Sequence, residues 1–207
     1  MNSQGSSTQT MKHAIREEFH WVLIFIAILW VVRLADFVLP IDLNDFGLRP
    51  RSIGGLMGIP LAPFLHAGWG HLIGNTIPLA ILLMLLAGSR ANSIAIVIGL
   101  VLLGGGLLWL GGRSSIHIGA SGLIYGLIAF LISSGFFERR FVSIAISILV
   151  LFLYGGTMVW GVLPSVNQGV SWDGHLYGAI AGVILAYGLV NFDKAASTAI
   201  PHQNPDT

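Results

Sequence analysis

Four residues in this chain are of types that carry out acyl transfer, and each stands near the start of an apolar run: His71, Asn75, Ser121 and His175. A serine hydroxyl is a weak nucleophile at its free pKa and becomes reactive when a neighbouring base removes its proton. Ser121 lies in Gly119-Ala120-Ser121-Gly122. Glycines on both sides, at Gly119 and Gly122, permit a tight entry turn and the close approach of another chain. Where a helix opens at such a turn, unpaired N–H groups and the positive end of the helix dipole offer a donor to an oxyanion formed on the serine. Small-residue stretches also serve plain helix packing in membranes, so this one gains meaning from its partners.

His175 is the favoured base. It lies in Trp172-Asp173-Gly174-His175-Leu176-Tyr177-Gly178, and Gly174, Gly178 and Gly182 recur every four residues. The i, i+3, i+7 spacing puts His175 on the face of Gly178 and Gly182. Gly122 and Gly126 repeat the small-xxx-small pattern after Ser121. Two such faces in contact bring backbones close and would deliver His175 to Ser121. Tyr125, one turn after Ser121, is placed to lay its ring against the imidazole. Asp173 stands two residues before His175 and points elsewhere, so the expected unit is a Ser–His dyad in which an aromatic stack replaces the orienting carboxylate. His117, four residues before Ser121, is a lesser candidate base in the preceding loop.

His71 and Asn75 are i and i+4, on one helix face, and both side chains donate hydrogen bonds suited to an oxyanion. His66 lies five residues before His71 and is read as a brace for the loop ahead of it. A zinc site on His66 and His71 is the rival reading. Their spacing fits one helical face poorly, and no cysteine or carboxylate completes a ligand set. No metal and no other cofactor is expected.

The elements that must position these side chains are membrane spans. Hydrophobic residues make up 55% of the 207, charged residues 9%, and mean hydropathy is +0.82. A soluble domain carries about 25% charged residues, so water is the wrong solvent for this surface and lipid the right one. The net charge of +1 is too small to imply nucleic acid, and the absence of cysteine excludes disulfides and thiolate chemistry. A helix crosses the hydrocarbon core with about 20 apolar residues. Six stretches qualify, near 20–39, 71–88, 92–111, 119–136, 141–162 and 174–191. Residues 1–19 read as a polar cytoplasmic tail, 20–192 as the membrane domain and 193–207 as a short C-terminal tail. A long polar interval, 40–70, follows the first span and is expected to fold back on the membrane surface.

Spans two, four and six must run in one direction, and each carries its polar residues at its own N-terminal end. His71, Asn75, Ser121 and His175 therefore belong to one side of the bilayer, where polar groups face a wet cavity or each other. Lys12, Arg16, Arg90, Arg139, Arg140 and Lys194 fall on one side and Arg33, Arg49, Arg51 and Arg113 on the other. That bias puts both termini in the cytoplasm and opens the site to the extracytoplasmic side.

Together these elements resemble the rhomboid family. Its pattern of a histidine, a second five residues on and an asparagine four beyond that matches His66, His71 and Asn75. Its Gly-x-Ser-Gly at the fourth helix matches Gly119 to Gly122, its aromatic four residues after the serine matches Tyr125, and its sixth-helix histidine in a glycine ladder matches His175, Gly178 and Gly182. The likeness covers about 60–190. It implies an all-α integral membrane protein, a six-transmembrane-helix rhomboid-like bundle. It also implies an intramembrane serine protease whose partners are single-span membrane proteins and the lipid bilayer. In that reading Ser121 attacks the scissile carbonyl, His175 takes its proton, and His71, Asn75 and the Ser121 N–H form the oxyanion hole. The fifth span and the Pro164–Gly174 loop look like the family's substrate gate and cap. One departure stands out: the Trp-Arg pair that many rhomboids carry in the first loop is missing, and Arg49-Pro50-Arg51 occupies the region without matching it.

Two other classes compete. A catalytically silent rhomboid-like protein would bind membrane clients without cutting them; such relatives lack the serine or the histidine, and both are here. A small transporter would carry inverted repeats and charges at the midplane, whereas the charges here lie at span ends. Nothing in the sequence fixes an oligomeric state.

Overall fold

Six helices of the required length and apolarity form the molecule, in a computed structural model that describes residues 3–90, 92–164 and 170–199. The spans are Glu18–Val38, Trp69–Ser89, Ser93–Gly111, Ser121–Glu138, Phe141–Gly161 and Trp172–Phe192. Their ends fall within two residues of those read from the sequence. The first helix already begins at Ser3 and the last continues to Ala199, so the chain outside the first and last spans enters and leaves them helically. Among the described residues β-pairing is limited to one isolated antiparallel bridge, Leu48 with His117.

The fourth span is the centre of the bundle. It is apolar on all sides, which suits a helix surrounded by other helices, and 61% of it is buried against 6% of the fifth span. Leu127, Ile128 and Phe130 are wholly enclosed. Outward-facing residues are large and apolar: Phe141, Phe152, Trp160 and Phe192 are all mostly exposed. A soluble protein rarely shows apolar patches beyond a few hundred Å²; around six spans such a belt is the lipid-facing surface.

Lipid tails are as apolar as the side chains, so helices in a bilayer associate through close packing more than through the hydrophobic effect. Glycine supplies that closeness here. A Cβ at Gly178 would run into the Gly122 carbonyl, and one at Gly182 into the Gly126 carbonyl. In the other direction, a Cβ at Gly126 would sit 3.2 Å from the Gly178 oxygen, and one at Gly122 3.4 Å from the Gly174 oxygen. The fourth and sixth spans thus meet backbone to backbone along their glycine edges.

The first loop departs from its polar reading. Asp42 caps a short turn at Leu43–Phe46 by accepting from the Asn44 N–H at 2.9 Å. The second half, Gly54–Phe64, is an apolar run of short helical turns. Ile53, just before it, and Met57 within it stand largely exposed. The polar residues that mark the interval in sequence cluster before Gly54, and the apolar half escapes notice because it is too short to span.

Candidate active site

Ser121 is the first residue of the fourth span, and Ala120 before it provides no side-chain cap. The first intrahelical bond runs from the Ile124 N–H to the Ala120 carbonyl at 2.9 Å, leaving earlier N–H groups unclaimed by the helix. The chain reaches Ser121 through Ile116–Gly119, held extended by the first loop. Leu48 and His117 exchange backbone bonds of 3.0 and 2.8 Å, and the Gly119 N–H donates to the Ala62 carbonyl at 2.8 Å. Gly119 then turns with φ +105°, a region that disfavours any side chain.

Arg51 anchors that loop. Its guanidinium donates to the carbonyls of Gly112 (2.8 Å) and Leu110 (3.3 Å) at the end of the third span, and to the Ser114 hydroxyl (3.1 Å). A cation on the last carbonyls of a helix is favourable by both hydrogen bonding and dipole. Arg51 therefore braces the region where the Trp-Arg pair is missing. No sequence pattern points to it, because two of its three partners are backbone carbonyls and the third, Ser114, lies 63 positions away.

His175 is 9% exposed and stacks on Tyr125, with ring centroids 4.1 Å apart and planes 3° from parallel. Its Nδ1 lies 2.9 Å from the Gly161 carbonyl at the end of the fifth span. A carbonyl only accepts, so Nδ1 carries the proton and the neutral ring keeps a lone pair on Nε2. Among the described residues this is the only hydrogen bond of the imidazole. The Tyr125 hydroxyl donates to the Thr157 carbonyl at 2.9 Å, one turn before Gly161.

His71, Asn75, Ser121 and His175 line one cavity of about 450 Å³, together with Arg113 and Ser171. The Asn75 amide nitrogen is buried and has no hydrogen-bond partner. A group in that state costs about 1–3 kcal/mol unless something binds it. A Cβ at Gly119 would lie 2.7 Å from the His71 ring and 3.4 Å from the Asn75 amide nitrogen, so the missing side chain is what keeps these donors open. His66 is fully enclosed next to them. Its ring meets His71 edge-on at 5.0 Å, and its Nδ1 donates to the Phe64 carbonyl at 3.3 Å. Burial, with the neighbouring His71 and Arg33, pushes the His66 pKa down to about 4 against a partial offset from the Phe64 carbonyl. Among the described residues no group of three or more metal-ligating side chains gathers.

A second polar cluster joins the two halves of the site. Asp173 is buried and accepts from the Arg113 backbone N–H at 2.8 Å and its guanidinium at 3.0 Å. His117 holds the Ser171 hydroxyl at 2.7 Å through Nδ1 and the Arg113 carbonyl at 3.1 Å through Nε2. With both ring nitrogens engaged, His117 is poorly suited to act as a base. The cluster ties the loop before Ser121 to the start of the helix that carries His175. Asp173 was legible as a residue pointing away from the imidazole; its clamp to Arg113 was not. Thr76, at the start of the second span, turns back to the Leu72 carbonyl at 2.8 Å and takes no part. Residues 165–169, in the middle of the expected cap, lie outside the described residues.

Comparison with known proteins adds an independent line. Residues 54–192 match the Rhomboid domain family. An uncharacterised protein of Mycobacterium tuberculosis is 46% identical over 176 residues, spanning 80% of this chain and 72% of the relative. An uncharacterised protein of Mycobacterium leprae is 45% identical over 195 residues, spanning 90% and 76%.

Proposed function

The chain belongs to the rhomboid family, and on that premise we propose that it is a serine endopeptidase cutting single-span membrane proteins at or within the bilayer. The observation that carries the reading is a shared cavity: the Ser121 hydroxyl and a stacked imidazole with its Nε2 lone pair free line the same space as an unpartnered amide donor.

The chemistry follows from those groups. Ser121 Oγ attacks the scissile carbonyl carbon while its proton passes to His175 Nε2. The carbonyl oxygen becomes an oxyanion, held by Asn75, His71 and the Ser121 N–H. As the C–N bond breaks, the imidazolium returns its proton to the departing amine. Water then repeats the sequence on the acyl-enzyme, giving its proton to His175 and releasing the new carboxyl end. Tyr125 stacking and the Gly161 carbonyl keep the ring in the tautomer that can accept a proton, the task a carboxylate performs in a triad. Both termini lie in the cytoplasm and the cavity opens to the other side, in keeping with the distribution of basic residues.

The test is cleavage of a single-span substrate in liposomes by the wild type, Ser121→Ala and His175→Ala. Cutting by the wild type and loss in both folded variants is the expected result, with a fluorophosphonate probe labelling Ser121. Undiminished cutting by Ser121→Ala removes the nucleophile. Binding of the substrate without cutting by the wild type replaces the protease with a client-binding protein.

A further inference from the structure

Resting on that dyad, we propose that the C-terminal end of the fifth span is the positioning device for the base, so that His175 is competent only while this end is docked. Two carbonyls one turn apart make the connection. Gly161 accepts from His175 Nδ1 and Thr157 accepts from the Tyr125 hydroxyl, both at 2.9 Å. The two rings they hold are stacked on each other. One short stretch of one helix thus fixes both members of the stack.

The fit at Gly161 is direct. A Cβ there would overlap the Tyr125 ring, so the fifth-span backbone lies against the aromatic pair with no side chain between. Gly161 is also the last residue of its helix, where carbonyls have no intrahelical partner and the dipole is negative. Its oxygen needs a donor, and the imidazolium formed during proton transfer finds the negative helix end beside it. That is the electrostatic and geometric work of a triad carboxylate done by a helix terminus.

The helix that supplies this carbonyl is the least enclosed of the six. Val150 alone among its residues is fully buried. Movement of its end withdraws both acceptors together. A released neutral imidazole is then free to carry its proton on Nε2, the form that cannot take a proton from serine. A fifth span whose end is displaced from the aromatic pair therefore leaves Ser121 without a competent base.

The test reads the tautomer directly. Protein labelled with ¹⁵N-histidine is placed in liposomes at a pH where neutral imidazole dominates, and solid-state NMR assigns the signal that disappears in His175→Ala. The wild type is expected to show Nδ1–H at this residue. An Nε2–H signal in a wild type that cleaves overturns the proposal without any variant. Gly161→Ala, which pushes the helix end off Tyr125, is expected to shift the signal toward the other tautomer. Its kcat should fall by about 10- to 100-fold, with KM changed far less. A folded Gly161→Ala protein that keeps both the Nδ1–H signal and its kcat also overturns it. If the wild type neither cleaves nor takes the fluorophosphonate probe, the protease reading fails, whichever tautomer is seen.

Discussion

Asn75 holds an amide nitrogen with nothing to bind, and Gly119 leaves empty the space in front of it. The two positions fail differently when changed. Asn75→Ala removes one donor and with it an unpaired buried amide, so kcat should fall about 10²–10³-fold while the melting temperature holds or rises. Gly119→Ala puts a methyl against the His71 ring and forces a side chain into the left-handed region, at about 1–2 kcal/mol of backbone strain alone. Activity and melting temperature should fall together there, in one cleavage assay and one thermal melt. His66 predicts a pH effect on stability. Its folded pKa is depressed from 6.5 to about 4. Above 6.5 the imidazole is neutral in both states and contributes no pH dependence. As pH falls toward 4 the unfolded chain takes up a proton that the folded protein refuses, and folding weakens by up to about 3 kcal/mol. His66→Gln should flatten that part of the pH–melting curve. An unchanged slope would mean the ring charges freely in the folded protein.

Asp173 and Arg113 act between elements, tying the turn into the fourth span to the start of the sixth. Asp173→Ala leaves the Arg113 N–H without its acceptor. Because the arginine side chain is 43% exposed, the loss is modest, on the order of 1 kcal/mol. Asp173→Asn keeps an oxygen for the N–H and should retain most activity, whereas the alanine variant should lose kcat about tenfold. Equal activity in both variants would show that the two helix starts hold their spacing unaided. This scale also shows what a sequence discloses. The contact of the fourth and sixth spans was legible, because Gly122, Gly126, Gly178 and Gly182 recur at helical spacing and small residues have few other uses there. Tyr125 at one turn from Ser121 was legible for the same reason. The Gly161 carbonyl, the Arg51 brace and the His117 cluster were not. They depend on backbone atoms or on residues brought together from distant loops, and periodicity carries no trace of either.

At the scale of the whole molecule, charge deficit and apolar run length specify six spans, and an even number of crossings puts both ends of the bundle's chain on one side. Direction is a subtler matter, since it rests on a margin of a few basic residues. The fold makes that margin testable. The cavity lies where the second, fourth and sixth spans begin. Arg90 pairs with Glu138 at the opposite end, next to exposed Arg139 and Arg140. The chain has no cysteine, so a single introduced thiol reports its own side without background. Asp45 and Arg140 are exposed at the two ends. Asp45→Cys should react with a membrane-impermeant maleimide on intact cells, and Arg140→Cys only after lysis. The opposite pattern would invert the protein and turn the cavity toward the cytoplasm. Substrates would then be cut on the inner side, and the basic residues at Arg90, Arg139 and Arg140 would face outward against the charge rule that oriented them.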